Sequence, residues 1–269
     1  MLRRTAGYLA DRGCDTPRLD AEVLLAAILG VERIGLYTDH DRPMTSAETD
    51  MYRAAVARRG AREPVAYITG RRGFRRLELE VSSAVLVPRP ETELLVEWAT
   101  EIAPQGGAVL DWGTGSGAIA LALRDERPDL VVTGTDRSAA ALEVARRNDH
   151  QGIVEWVLSD GFAGLAGRRF DVGVANPPYL ADRELTAVAP ELGYEPSGAL
   201  VSGPSGYEAF EQIAREAPGH LQPGGWLLVE VGLGQADHVC ALLAASGFGD
   251  IAVRPDLAGI PRVVGGVLA

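Results

Sequence analysis

From residue 108 onward the chain repeats one pattern, and that pattern restricts its fold more than any other feature. Short apolar runs alternate with stretches of helical periodicity. The runs cover 108–111, 130–136, 153–158, 170–175 and 226–231, with two more at 251–254 and 262–267. Helices are expected from Ile119 and over 139–147. A strand buried on both faces reads as an unbroken apolar run, because neither side meets water. Strands that alternate with helices along the sequence build a parallel sheet with helices on both sides. The expectation is an α/β fold with a doubly wound parallel sheet, and a turn at Pro223-Gly224-Gly225 before the fifth strand.

The first seventy residues read differently, as short helices. Leu19, Val23, Leu24, Ala27 and Ile28 recur at helical spacing behind Thr16-Pro17, a capping residue followed by proline at the first helical position. Gly30 ends that run. Thr45-Ser46-Ala47-Glu48 fits a capping box, with Met51, Tyr52, Ala55 and Val56 following at helical spacing. A small helical bundle results, which fits a scaffold and a substrate-docking module equally well. Beyond it, Phe74, Leu77, Leu79 and Val81 alternate with polar residues as a hairpin does. Pro88 and Pro90 then stop regular structure, and Glu91-Thr92-Glu93 opens a helix carrying Leu94, Leu95 and Trp98 on one side. The chain therefore divides into an N-terminal helical domain (1–70), a hairpin and proline linker (71–90) and an α/β domain (91–269).

Composition removes several classes. Hydrophobic residues are 46% and charged residues 23%, the balance of a globular protein, and no apolar run is long enough to cross a bilayer. The N-terminus lacks the apolar core of a signal peptide, so a cytoplasmic protein is expected. Cys14 and Cys240 lie far apart with no C-x-x-C unit, and His40, His150, His220 and His238 are scattered without metal-ligand spacing, so no metal is expected. Net charge is −11, unevenly spread: residues 1–80 carry 14 Arg against 12 Asp and Glu, and the rest 12 against 25. So acidic a larger part disfavours binding to nucleic acid, whose phosphates need cations. Every cation is arginine; the chain has no lysine, and so no phosphate loop of the G-x-x-x-x-G-K type.

Two motifs carry chemistry. Asp111-Trp112-Gly113-Thr114-Gly115-Ser116-Gly117 sits where the first apolar run meets its helix. Glycines there let the backbone turn sharply and approach a ligand. Nineteen residues after Gly117, Asp136 ends the second run, where a carboxylate can accept both hydroxyls of a ribose. This fits nucleoside cofactors in general. The second motif, Asn176-Pro177-Pro178-Tyr179, follows the fourth run directly, at a strand's carboxyl end where α/β sheets place ligands. It suits methyl transfer from S-adenosylmethionine to a planar amide or amino nitrogen, whose lone pair is delocalised and poorly nucleophilic. The Asn176 side-chain oxygen and the Pro177 carbonyl can each accept one N–H of that nitrogen. Two acceptors orient it and stabilise the charge that develops on alkylation. Tyr179 offers a ring to stack on the flat group, and proline stiffness keeps the acceptors preorganised.

With these residues assembled, the chain resembles the protein N5-glutamine methyltransferases that modify class 1 peptide-chain release factors (the HemK/PrmC family). The resemblance runs through Glu63-Pro64-Val65-Ala66-Tyr67-Ile68-Thr69-Gly70, Leu86-Val87-Pro88-Arg89-Pro90-Glu91-Thr92-Glu93, the glycine loop, Asn176 to Tyr179, Glu195-Pro196, Glu230-Val231-Gly232, Gln235 and 256–262. It implies a five-helix N-terminal domain and a Rossmann-like, seven-stranded class I methyltransferase domain. It also implies that Gly113, Thr114, Gly115, Ser116 and Gly117 cradle the methionine end of S-adenosyl-L-methionine, that Asp136 takes the ribose, and that Asp160 lies by the adenine. By the same resemblance Asn176, Pro177, Pro178 and Tyr179 hold the substrate glutamine of a Gly-Gly-Gln loop. Two positions depart from the family's pattern: Trp112 stands where a smaller apolar residue is usual, and Gly161 where a larger one is. Arg89, Glu91 and Thr92 fit either a pocket wall or a purely structural helix start.

The expected partner is a class 1 release factor, bound by a monomer without nucleic acid or membrane, with the arginine-rich N-terminal module docking it. The alternative within enzymes is a methyltransferase acting on a ribosomal-protein glutamine or on adenine N6, a planar amine reached after base flipping. A non-catalytic nucleotide-binding module leaves the filled Asn-Pro-Pro-Tyr position unexplained, and so does an NAD dehydrogenase.

Overall fold

The structure is a computed structural model that describes residues 1–38, 41–185 and 188–269, so His40 lies outside the described residues. The chain forms two compact units: Met1–Arg71 with Ala189–Tyr194, and Arg72–Val188 with Glu195–Ala269. The segment 189–194, assigned from sequence to the α/β domain, thus belongs with the helical unit.

The first unit holds α1 (Leu2–Ala10), α2 (Pro17–Leu29), α3 (Gly35–Thr38), α4 (Ser46–Gly60) and α5 (Val65–Thr69). The capping box at α4 is present: Glu48 N donates to Thr45 Oγ1 at 3.2 Å and Thr45 N to Glu48 Oε2 at 2.8 Å. Gly30 ends α2 in the left-handed conformation. The expected buried stripe of α2 is out of phase. Leu19 is 41% exposed and Ala27 exposed, whereas Asp20 and Glu22 are buried beside Ala21, Leu24 and Leu25. Thr16, expected to cap the helix, gives its hydroxyl to Asp20 Oδ1 at 2.7 Å instead. Met51 is likewise exposed, and α4 buries Tyr52, Ala55 and Arg59.

Ion pairs explain the inversion. Arg59, 6% exposed, donates to Asp20 at 2.7 Å and to Glu191 at 2.9 Å. Arg62 binds both oxygens of Glu191 at 2.7 Å. Glu22 holds Arg18 and Arg33. Buried charges persist only when paired, and a hydrophobicity pattern cannot see a pairing. The arginine excess read from sequence is therefore largely neutralised inside this unit.

The second unit begins with a hairpin, β1 (Arg71–Phe74) and β2 (Leu77–Glu80). Arg75 at its turn has φ +51° and is held by Glu126, at 2.7 and 2.9 Å. Then follow α6 (Glu93–Ile102), β3 (Ala108–Trp112), α7 (Ala118–Glu126), β4 (Val131–Asp136), α8 (Ala139–Asn148), β5 (Glu155–Leu158) and β6 (Phe170–Ala175). The short pair β7 (Leu180–Ala181) and β8 (Val201–Gly203) precedes α9 (Glu208–Glu216), β9 (Leu221–Glu230), α10 (Ala236–Ala245), β10 (Phe248–Pro255) and β11 (Pro261–Leu268).

Seven strands form the main sheet in the order β10-β11-β9-β6-β3-β4-β5. Successive residues point to opposite faces. Val109, Leu228 and Val263 join a core with α6 and α7, while Leu110, Leu227, Val229 and Val264 join another with α9 and α10. Two expectations need correction. The sheet is mixed, not parallel: β11 runs antiparallel to β9 and β10. A five-residue connection between β10 and β11 permits only a hairpin, whereas a parallel return needs a crossover. The Pro223-Gly224-Gly225 turn lies inside β9, where Leu221 pairs with Phe170 and Trp226 with Val172. The intervening residues form a bulge, with Gly224 at φ +76°.

The arginine network sets a test of the helical unit. Arg59→Ala strands Asp20 and should destabilise that unit by about 3 kcal/mol in urea unfolding. Burial pushes the Glu191 carboxyl up, but Arg62 and Arg59 outweigh it and hold it at about 2. A depressed folded value contributes stability above the unfolded carboxylate range, lost as pH falls through the folded value. Acid unfolding of this unit should therefore begin below about pH 4, and Glu191→Gln should remove that part of the pH dependence.

Candidate active site

The carboxyl ends of β3, β4 and β6 meet around one cavity of about 300 Å³. The turn after β3 shapes its floor. Gly113 and Gly115 have φ of +73° and +56°, and no atom lies within 4 Å of a Cβ added at either. Bare backbone is thereby offered to a ligand. Thr114 N donates to Thr135 O at 2.8 Å, tying the turn to β4. Asp111, fully buried, receives Thr114 Oγ1 at 2.6 Å and the amide of Ala120 at 3.2 Å on one oxygen. Its burial, only partly opposed by those donors, pushes its carboxyl up to about 7. Asp136 receives Gly115 N at 2.9 Å and Ser138 N at 2.8 Å, one on each oxygen. Each oxygen keeps a second lone pair, and Asp136 borders the cavity.

Of the residues assigned to the cofactor from sequence, Gly113, Gly115, Asp136, Asp160 and Asn176 line this cavity. Thr114 and Ser116 are buried behind it. Gly117 serves packing: an added Cβ would stand 2.9 Å from the Trp156 ring. Trp112 lines the cavity with its indole Nε1 buried and unpartnered. Gly161 has φ +58°, and a Cβ there would fall 2.2 Å from Gln212 Nε2. Gln212 thus occupies the room that a larger residue at 161 would take, and it lines the cavity itself.

The second motif borders the same space. Asn176 and Pro178 line it; Pro177 is buried and does not. Asn176 Nδ2 donates to Thr92 Oγ1 at 3.0 Å, while its Oδ1 is buried without a partner. Tyr179 packs its ring on Gly232, where an added Cβ would meet it at 3.0 Å, and its carbonyl accepts from Gln235 Nε2 at 3.0 Å. Burial raises its hydroxyl above the usual tyrosine range.

Several site residues carried no clear sequence signal. Thr92 is the partner of Asn176, which gives the Pro88–Glu93 motif a place at the site. Glu195 receives the amide of Val87 at 3.0 Å and binds Arg89, bracing the same motif. Glu230, at the end of β9, is 4% exposed with Oε2 unpartnered, and burial pushes it up to about 7. Ala84, Val85 and Leu86 supply apolar wall. Thr92 was named from sequence as either a pocket wall or a helix start, and Leu86, Glu195 and Glu230 stood only within longer resemblances. Among the described residues no cluster of three or more His, Cys, Asp or Glu is arranged to hold a metal, and no helix is long and apolar enough to cross a membrane.

Residues 1–70 match the family described as the PrmC N-terminal domain, and residues 89–235 the methyltransferase small domain. The chain is 44% identical to the release factor glutamine methyltransferase of Geobacter sulfurreducens, over 99% of this chain and 95% of that protein. It is 46% identical to the protein of the same name from Burkholderia pseudomallei, over 93% and 92%. A methyltransferase structure from Pyrococcus furiosus shares the fold, with a TM-score of 0.53 at 20% identity over 71% of this chain and 88% of that one. Full-length identity of this order, together with a glycine turn, a ribose-ready carboxylate and Asn176 and Pro178 around one cavity, places the chain in the release factor glutamine methyltransferase family.

Proposed function

We propose that this chain methylates the side-chain amide nitrogen (N5) of the glutamine in the Gly-Gly-Gln loop of class 1 peptide-chain release factors, using S-adenosyl-L-methionine. One observation carries the reading: Asn176 lines the cavity, and its Oδ1 is buried without a partner while its nitrogen is engaged by Thr92. An acceptor without a partner is costly to bury, and a substrate N–H satisfies it. The name shared by the relatives supplies the substrate.

The residues present fit the cofactor. Asp136 has lone pairs to spare for ribose hydroxyls, the open backbone at Gly113 and Gly115 accommodates close approach, and Trp112 Nε1 is a donor in need of an acceptor. Asp160 and Gln212 line the wall assigned to the adenine. When bound, the cofactor supplies an electrophilic methyl group.

The chain's own contribution is orientation and charge. Asn176 Oδ1 and the Pro177 carbonyl accept the two N–H hydrogens of the substrate amide, which fixes the nitrogen and favours the positive charge it acquires. Pro178 lines the pocket; Tyr179, which follows it, does not border the cavity and is held in place by Gly232 and Gln235. A general base is not needed, because the nitrogen's proton becomes acidic after alkylation. We read the working species as a monomer, in the cytoplasm where release factors act.

We read the helical unit as the docking module. Its arginines are mostly paired, but Val31, Ile34 and Tyr37 are exposed apolar residues, Ile34 at 64%. Burial of such a side chain against a partner is worth about 1.5–3 kcal/mol. Ile34→Glu should raise KM for whole release factor about tenfold and leave turnover of a short Gly-Gly-Gln peptide unchanged; equal loss on both substrates would refute docking there.

Mass spectrometry of a class 1 release factor after incubation with this protein and S-adenosylmethionine should show one added methyl group on the glutamine. A Gln→Ala variant of the release factor should show none. Asn176→Ala should lower kcat by about 10²–10³-fold with cofactor affinity nearly intact. Asp136→Ala should instead weaken cofactor binding by about ten- to a hundredfold in calorimetry. Matching losses of both properties in both variants would overturn this division of roles.

A further inference from the structure

A carboxamide carries an acceptor on one side and two donors on the other, and a half turn about its last bond exchanges them. The reading of Asn176 as the substrate's acceptor needs its oxygen in the cavity, so the nitrogen must be held on the opposite side. Two side chains stand there. Thr92 closes the 3-10 turn Pro90–Thr92, is 4% exposed, and accepts from Asn176 Nδ2 at 3.0 Å. Glu230 ends β9, also 4% exposed, with its Oε2 unpartnered. Thr92 and Asn176 are among the neighbours that favour its charged form.

We propose that Thr92 and Glu230 are positioning residues that lock the Asn176 carboxamide, its nitrogen held within the protein and its oxygen presented to the substrate nitrogen. This rests on the reading of Asn176 given above. An ionised carboxylate only accepts, so it attracts the Asn176 nitrogen and repels its oxygen. Thr92 uses a lone pair for Asn176 and has its own hydrogen left to donate; the carboxylate is the acceptor for it. Neither residue touches the reacting atoms in this scheme. Both act through Asn176.

The lock has a protonation state. A neutral Glu230 carries an O–H, for which the unpartnered Asn176 oxygen is a ready acceptor, and that pairing favours the turned-over amide. Burial and, less strongly, Glu91 raise Glu230; Thr92, Arg262 and Asn176 oppose them, and the balance leaves it at about 7. Arg262 is paired with Asp256 at 2.9 Å, Arg89 with Glu195, and Tyr179 stays neutral in this range. Ionisation of Glu230 therefore accompanies activity, and kcat should fall as pH drops from about 8 to about 6.

The test measures kcat on whole release factor across that pH range for the native chain, Thr92→Val, Thr92→Ser and Glu230→Gln. Cofactor affinity by calorimetry is followed in parallel as the check on folding. Thr92→Val, close in shape but unable to accept, should lower kcat about tenfold or more with cofactor affinity unchanged, and Thr92→Ser should restore most of it. Glu230→Gln should lower kcat and flatten the pH profile. An unchanged kcat in Thr92→Val, or a native pH profile in Glu230→Gln, overturns the proposal. If Glu230→Gln no longer binds cofactor, the two Thr92 variants decide alone. Asn176→Ala separates the layers: if it leaves turnover intact, the reading of Asn176 fails; if it abolishes turnover while Thr92→Val and Glu230→Gln do not, only the lock fails.

Discussion

Asp111 holds the turn after β3 from beneath, with the Thr114 hydroxyl at 2.6 Å and the Ala120 amide at 3.2 Å on a single oxygen. Asp136 holds the same turn from the side, through the amide of Gly115. Between them the two carboxylates accept from the Thr114 hydroxyl, the Gly115 amide and the first turn of α7. The left-handed glycines then face the cavity at no cost to backbone pairing. Remove that support and the loop, the start of α7 and the end of β4 all lose a shared anchor. The cavity is a consequence of how these three elements are joined, and Asn176 reaches it because β6 lies next to β3 in the sheet.

Periodicity revealed most of the α/β unit, because strands in a covered sheet have to be apolar throughout. The runs at 108, 130, 153 and 170 became β3 to β6 with small changes at their ends. Reversal of β11 was missed because an apolar pattern carries no strand direction; the short gap between the runs at 251–254 and 262–267, too small for a crossover, was the signal. The bulge in β9 was read as a turn because Pro-Gly-Gly looks alike in both settings; only pairing with Phe170 and Val172 tells them apart. In the helical unit, Asp20, Glu22 and Arg59 took interior places that a hydrophobicity count gives to Leu19 and Ala27. The site residues with distinctive spacing, Gly113, Gly115, Asp136 and Asn176, were legible. Thr92 and Glu230 stood within the resemblance, but their roles were not legible, as a threonine or a glutamate at an element's end has many uses until its neighbours are known.

Two departures from the family's pattern compensate locally. Gly161 leaves room that Gln212 fills from α9, so an apolar wall position is exchanged for a carboxamide. Trp112 brings an indole N–H into a place where a smaller residue brings none. The exchange at 161 makes the cavity wall richer in hydrogen-bonding groups than the resemblance implied. The absence of lysine points the same way in the rest of the chain. Arg58, Arg62, Arg75 and Arg127 each grip a carboxylate through two nitrogens, a geometry an ammonium cannot copy.

The placement of Ala189–Tyr194 in the helical unit makes the connection between the units threefold. The chain leaves that unit once at Arg71, returns at Ala189 and departs again after Tyr194. Within the unit the returning segment is fastened by Arg59 and Arg62 on Glu191 and by the Tyr194 hydroxyl on the Ala61 carbonyl at 2.7 Å. A protease that nicks the 71–90 stretch would therefore not set the helical unit adrift: the cut ends would stay joined through a noncovalent rivet of two guanidiniums and one carboxylate. The same topology means that residues 1–70 produced by themselves would leave Arg62 without its counter-ion and Arg59 with Asp20 alone.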